Sequence, residues 1–359
     1  MEFKSNPANF FHDKHDYLSS RYEKGYYKQM SKTSCYSSIL TAGLWRLFGD
    51  HIAYNDSIQI FDKLLSSGIN HFDLGNNYGR KPGSAELNFG RALKPIFHLR
   101  DELIISSKAG YEMMPGPNGS GSSLKHLKSQ IEASLNRLDI KYLDIFYTHR
   151  YDPNCDLEVL ANNLEYLYEK GYFLYAGISS YPPDALIKLI KFLNQRKVPI
   201  AALQYNISLL SLSNFNVCRE CFLEWGISTI AFSPLNQGIL TDSFFKCNKE
   251  NLSRSKENFS TVHIKNESLE TGLKYLNSIA KSNSISIEML SMSWLISQDF
   301  ICSLAYGPRK ISQIFEMQEL YNLSSKVSSM LEEKKLRNFS IKSLDQWKVR
   351  DTNSEYNII

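Results

Sequence analysis

Four side chains in this sequence are of the types that acid–base chemistry on a carbonyl group needs: Asp73, Tyr78, Lys108 and His149. Tyrosine is a poor acid at neutral pH, with an unperturbed pKa of about 10. A nearby ammonium favours the phenolate, lowers that pKa and eases proton donation to a developing alkoxide. Lys108 closes an apolar run, so its charge must be paired or desolvated, and Asp73 is the obvious partner. His149 can donate a hydrogen bond to the same carbonyl oxygen and orient it. The set suits proton transfer coupled to hydride delivery from a bound nicotinamide. Each member also has a plainer reading: Asp73 and Lys108 as an ion pair with no further role, His149 as a structural histidine.

The elements that must position these residues follow a regular alternation. Short apolar runs fall at Ile39–Leu44, Ile69–Asp73, Leu103–Lys108, Tyr142–Tyr147, Leu174–Ile178, Ile200–Tyr205, Ile227–Phe232 and Cys302–Tyr306. Most lack clean polar alternation, as strands buried on both faces do. Between them lie amphipathic patterns at Ser57–Ser67, Leu124–Leu138, Leu157–Lys170, Pro183–Gln195, Asn214–Trp225, Ile285–Gln298 and Ile311–Leu320. Asn55-Asp56-Ser57 offers a helix start, and Ser67-Gly68 and Lys170-Gly171 offer helix stops. Eight strands, each with a helix to follow, predict an α/β (β/α)8 barrel, in which polar residues at the C-terminal strand ends make the site. An open doubly wound sheet is the alternative, but no G-x-G-x-x-G follows the first strand. The glycines of Gly116–Gly121 read first as turn chemistry, with phosphate cradling second. Asp73, Lys108 and His149 all fall at predicted strand ends, as do Ser179-Ser180 and Gln204.

Three stretches lie outside this pattern. Residues 1–35 form an N-terminal extension rich in aromatics (Phe10, Phe11, Tyr17, Tyr22, Tyr26, Tyr27), and Tyr26–Ile39 suggests a hairpin under the barrel floor. Residues 36–323 hold the barrel, with a polar insertion at 236–266, and 324–359 read as a C-terminal helix and tail.

Composition narrows the function classes. The chain has 359 residues, 43% of them apolar and 22% charged, a globular balance. A net charge of +4 is too small and its lysines too scattered to argue for nucleic acid. Residues 1–7 lack the apolar core of a signal peptide, and no window has the roughly 18 apolar residues of a membrane span. Six cysteines in so long a chain do not make a disulfide framework, and a reducing cytoplasm is the expected setting. Cys218 and Cys221 share a helical pattern with no His-rich partner, so buried thiols are expected there and no metal.

His71-Phe-Asp-Leu-Gly-Asn-Asn-Tyr-Gly79 resembles the aldo-keto reductase motif in which Asp and Tyr stand five apart before Gly. Ile104–Gly110 and Tyr142–Arg150 match its lysine and histidine strands. Gly177–Tyr181 and Ile230–Gly238 match its nicotinamide and pyrophosphate segments. The likeness runs from about residue 36 to 323. Gly43-Leu44-Trp45, Pro82–Glu86 and Lys108–Tyr111 leading into Pro115–Ser122 are most similar to the L-glyceraldehyde 3-phosphate reductase group, relatives of the potassium-channel beta subunits.

The resemblance implies reduction of an aldehyde or ketone with NADP(H), Tyr78 as general acid, Lys108 and Asp73 as its tuning pair, and His149 orienting the substrate. It further implies that Ser179, Ser180 and Gln204 hold the carboxamide, that Phe232 stacks on the nicotinamide, and that Ser233, Leu235, Gln237 and Gly238 meet the pyrophosphate. Gln313 and Glu316 would lie by the adenosine end, and Trp45, Tyr111 and Arg150 by the substrate. Arg46, Arg150 and Lys81 are candidate phosphate contacts or simple surface charges. The sequence departs from the pattern at Pro308-Arg309-Lys310, at Met317, across Tyr205–Leu210 and near Leu212, where an expected arginine is absent. At the first of these, Arg309 and Lys310 would replace a serine contact to the 2′-phosphate with charge. Relatives assemble into homo-oligomers. A regulatory NADP(H)-binding subunit of channel-beta type is the alternative function, and an aldolase-like Schiff base on Lys108 a third.

Overall fold

The structure is a computed structural model of the full chain and describes residues 19–45, 47–246 and 267–339. Strands β1 (Tyr27–Met30) and β2 (Cys35–Ser38) form an antiparallel hairpin. Strands β3 (Leu40–Gly43), β4 (His71–Asp73), β5 (Ile104–Ala109), β6 (Leu143–Thr148), β7 (Phe173–Ser179), β8 (Ile200–Asn206), β9 (Thr229–Phe232) and β10 (Ile301–Tyr306) close into one parallel barrel in chain order. The fold is the expected (β/α)8 barrel.

The closure follows from the two faces of each strand. Outward residues such as Phe72, Ile105, Phe146 and Leu203 join the large apolar layer under the helices. Inward residues, Ile104, Ile145, Ala202 and Ile230 with Tyr147 above them, pack into a second, smaller core, and Met30 of the hairpin plugs it from below. The hairpin therefore floors the barrel. Its Lys28 ammonium donates to the carbonyls of Ile296 and Ile301 at 2.6 and 2.9 Å, and the Ser31 hydroxyl donates to Ala201 O at 2.6 Å.

Helices follow the strands at Tyr54–Ser66, Ser84–Leu93, Leu124–Leu138, Leu157–Glu169, Pro183–Gln195, Phe215–Trp225, Ile287–Ile296 and Met317–Met330. Ser123, Asp156 and Ser286 cap three of them through side-chain oxygens. Tyr54–Ser66 starts at an Ala53 cap instead of at Asn55–Ser57, because the Ser57 hydroxyl donates to Leu47 O. The periodicity did not show Ser84–Leu93, which buries a glutamate and a glycine on its inner face. Nor did it show Glu267–Ser282. The continuous helix expected over Ile311–Leu320 is two pieces. A 3₁₀ turn spans Ile311–Gln313, Ile314 is extended, and the α-helix begins after a Glu316 cap and runs on to Met330. A last helix, Glu333–Phe339, packs Leu336 into the core.

Cys218 and Cys221 are buried, unpaired thiols on Phe215–Trp225, as expected. Burial pushes the Cys221 thiol up to about 12. Among the described residues no helix is long and apolar enough to cross a membrane, and no cluster of His, Cys, Asp or Glu could hold a metal. Arg46, Cys247, most of the 236–266 insertion and the residues before Ser19 lie outside the described residues.

Candidate active site

Adjacent strands β4 and β5 bring the acid–base residues together. Asp73 pairs in register with Ser106, two residues before Lys108, and the period of two points Ser106 and Lys108 to the same inner face. The Lys108 ammonium is fully buried and spends its three protons on three acceptors: Asp73 Oδ2 at 2.6 Å, Leu74 O at 2.5 Å and Tyr78 Oη at 3.1 Å. Tyr78 stands on the loop after β4, half-buried at the mouth. Because its oxygen accepts from Lys108, its own proton points elsewhere. His149 follows β6, its ring 5.8 Å from the Tyr78 ring and 4.7 Å from that of Tyr111, both edge-on.

The proton affinities correct one expectation. Burial pushes the Tyr78 phenol well above its ordinary value, and Asp73 and Tyr111 add to the rise. No net lowering by Lys108 survives, because the Asp73 carboxylate already matches the ammonium at 2.6 Å. The phenol faces a nearly neutral pair and stays protonated at neutral pH, which suits a proton donor. Burial also lowers the Lys108 pKa, against the raising effect of Asp73 and of Glu86.

Residues the sequence reading passed over support the pair. Ser106 Oγ donates to Asp73 Oδ1 at 2.6 Å. Glu86, fully buried, accepts from Ser107 Oγ at 2.5 Å and from Arg137 Nε at 2.7 Å. Asp50 accepts the backbone N–H of Arg80 at 2.8 Å and of Lys81 at 3.2 Å, and so holds the loop that carries Tyr78. The signal for Ser106 was its spacing from Lys108. Glu86 gave none, since a buried carboxylate looks like a surface one in sequence.

The remaining candidates line the same C-terminal face. Ser179 and Gln204 pair in register at the ends of β7 and β8, both buried, and Gln204 Nε2 has no partner among the described residues. Ser180 follows at a positive φ, its N–H on Gln204 O. Phe232 ends β9 half-buried, and Ser233, Gln237 and Gly238 take positive φ in the turn that holds Leu235. After β10, Arg309 and Lys310 are exposed, and Gln313 Oε1 accepts both of their backbone N–H groups at 2.7 and 3.1 Å. Glu316 lies 3.8 Å from the Lys63 ammonium. Arg150 donates to Gly110 O at 3.1 Å with its guanidinium 5.3 Å from the Tyr111 ring, while Trp45 is exposed at the rim. Lys81 is exposed too.

The sequence pattern of the aldo/keto reductase family matches residues 39–336. The chain belongs to the aldo/keto reductase family. It is 38% identical over 314 residues to the L-glyceraldehyde 3-phosphate reductase of Escherichia coli K12, covering 85% of this chain and 90% of that one. A probable voltage-gated potassium channel subunit beta of Arabidopsis thaliana is 28% identical over 301 residues, 81% of this chain and 89% of its own. Among solved structures, the holo form of the aldo-keto reductase AKR11C1 from Bacillus halodurans shares the fold, with a TM-score of 0.69 at 20% identity, over 86% of this chain and 97% of that one. The barrel is thus that of an aldo-keto reductase, an oxidoreductase family that works with nicotinamide cofactors on small carbonyl substrates.

Proposed function

We propose that this aldo-keto reductase is an NADP(H)-dependent enzyme that reduces the carbonyl of a small aldehyde to an alcohol, phosphorylated aldehydes included. One observation carries the proposal: Lys108 donates at once to Asp73 and to Tyr78, leaving a protonated phenol with its O–H turned from the ammonium.

The residues fit the cofactor. The unpartnered Gln204 amide beside Ser179 matches a carboxamide, which both donates and accepts. Ser179, Ser180 and Gln204 would hold that group, Phe232 the ring, the Ser233–Gly238 turn the pyrophosphate, and Arg309 and Lys310 a 2′-phosphate, with Gln313 and Glu316 beside the adenosine. The bound nicotinamide supplies the hydride.

The chain's own residues do the rest. Tyr78 gives its proton to the carbonyl oxygen as negative charge develops there. Lys108 then faces a phenolate, and its ammonium stabilises that charge while Asp73 keeps it protonated. His149, wedged between Tyr78 and Tyr111, orients the carbonyl. Arg150 and Lys81 put positive charge at the rim, which suits an anionic substrate; the name of the Escherichia coli relative points the same way. A cytoplasmic homo-oligomer is part of the same proposal.

The test is direct. Purified protein is mixed with NADPH and a panel of small aldehydes with and without a phosphate, and absorbance of the reduced nicotinamide is followed. Oxidation of NADPH by an aldehyde supports the reading. A cofactor that binds but is oxidised by no carbonyl overturns it in favour of a binding subunit.

A further inference from the structure

The lower barrel contains a polar group that acid–base chemistry at the mouth does not itself require. His71 lies on β4 two residues below Asp73, pointing inward and fully buried. Its Nε2 is 3.1 Å from Ser106 Oγ. Its Nδ1 is 3.1 Å from Ser37 Oγ and 3.2 Å from Thr41 Oγ1. Thr41 Oγ1 in turn meets Ser303 Oγ at 2.7 Å, and Ser303 donates to Ser38 O at 2.7 Å.

The protons in this chain have one consistent direction. The Asp73 carboxylate can only accept, so the Ser106 hydroxyl must spend its single proton on Asp73 Oδ1. Ser106 Oγ then acts toward His71 as an acceptor, which requires Nε2 to carry the imidazole proton. Nδ1 is therefore the acceptor; Ser303 spends its proton on Ser38 O and Thr41 its own on Ser303, so Ser37 is the hydroxyl left to serve Nδ1. Burial pushes the His71 pKa down to about 4, so the ring is neutral, as this tautomer needs. Ser37, Ser38, Thr41 and Ser303 are all buried, so these hydroxyls are held in fixed orientations around the ring.

We propose that His71 is a positioning residue for the Asp73–Lys108 pair: through Ser106 it fixes the hydrogen bond that holds the Asp73 carboxylate in place, and it ties that pair to the floor hairpin through Ser37. Aligned hydrogen bonds polarise one another, which strengthens the last bond onto the carboxylate. Loss of that bond frees the carboxylate to turn from Lys108 and weakens the contact that raises the Lys108 pKa, so Lys108 gives up its proton at a lower pH. The groups facing Lys108 are Asp73 and Tyr78 from β4 and its loop, Glu86 behind β5, Tyr147 on β6 with its ring 5.6 Å away, and His71 below.

The inference rests on the reading of Lys108 as the partner of Tyr78, but its test needs no turnover. The Lys108 side chain is titrated by NMR on the cofactor-free protein with ¹³Cε-labelled lysine, and Lys108→Met assigns the signal. His71→Leu, Ser106→Ala and the double variant are compared with wild type. Loss of a charge-assisted hydrogen bond implies a shift of about one pH unit downward in Ser106→Ala, and a smaller one in the same direction in His71→Leu, where that bond survives but is no longer oriented. The double variant should shift no further than Ser106→Ala alone, since His71 acts through that hydroxyl. An unchanged Lys108 titration in Ser106→Ala, or additive shifts in the double variant, overturns the proposal. Should His71→Leu fail to fold, His71→Met takes its place; His71→Gln, whose amide N–H can still serve Ser106, should return Lys108 close to its wild-type titration. A chain with no reductase activity would leave this titration readable, so the two readings fail separately.

Discussion

The Lys108 ammonium donates to the Tyr78 hydroxyl at 3.1 Å while the Asp73 carboxylate holds it at 2.6 Å, so one buried cation serves two partners. Tyr78→Phe removes the proton donor and keeps the ring. Aldehyde reduction should fall by about a hundredfold to ten-thousandfold. NADPH affinity, followed by quenching of protein fluorescence, should stay within about twofold, because the phenol proton is not among the groups proposed to grip the cofactor. Turnover close to wild type would sink the assignment of Tyr78 as the acid.

The neutral His71 makes stability depend on pH in a known direction. The unfolded chain protonates this histidine near pH 6.5, but the buried ring does so only at about 4. Between those values the unfolded state binds the extra proton, so stability falls as pH drops through the window and is unaffected by this group above it. The slope approaches about 1.4 kcal/mol per pH unit. Urea unfolding at pH 7.5 and 4.5 should show a smaller acid loss for His71→Gln than for wild type.

Glu86 carries a negative charge at a position with no exposure, matched by Arg137. Arg137→Met leaves that carboxylate with Ser107 alone and should cost about 2–3 kcal/mol, below the range for a fully buried pair because the arginine is partly exposed. Glu86→Gln in the same background should recover part of the loss. Chemical denaturation of the three proteins decides it.

The inner face of β7 admits no side chain at Gly177. A Cβ there would come 2.2 Å from Tyr147 Cδ1, and Tyr147 is fully buried against its neighbours. Gly177→Ala should destabilise the barrel by about 1–3 kcal/mol as the Tyr147 ring is displaced. Because that ring lies 5.6 Å from Lys108 Nζ, reductase activity should fall as well. Full activity with an unchanged melting temperature would contradict the packing.

Arg309 and Lys310 are exposed cations on a turn that Gln313 fixes. Replacing both by Ala should raise the NADPH Kd about tenfold or more and leave NADH within about twofold, since only the first has a 2′-phosphate for charge to meet. Equal losses for both cofactors would place the contact elsewhere.

The strand ends were legible because apolar runs closing on Asp73, Lys108 and His149 are rare enough to mark a barrel mouth. The hairpin was legible from its place ahead of the first strand. Ser106 and His71 were not singled out, although period-two spacing puts them below Lys108 and Asp73, because a hydroxyl and a neutral imidazole show no charge in a sequence. The helix Ser84–Leu93 was missed because Glu86 and Gly90 on its inner face break the apolar stripe. The break at Ile314–Glu316 was missed for the opposite reason: the apolar spacing runs through it, and only the Gln313 cap stops the turn.

The amino-acid sequence by itself determined the alternation of strands and helices, the barrel expected from eight such repeats, and the residue types gathered at one rim. Those depend on periodicity and composition, which are local. Only the tertiary structure decided the proton affinities. How far the phenol of Tyr78 rises depends on how much water the barrel excludes and on which charge has already claimed Lys108. Both are set by residues 30 and more positions apart along the chain, meeting across two strands.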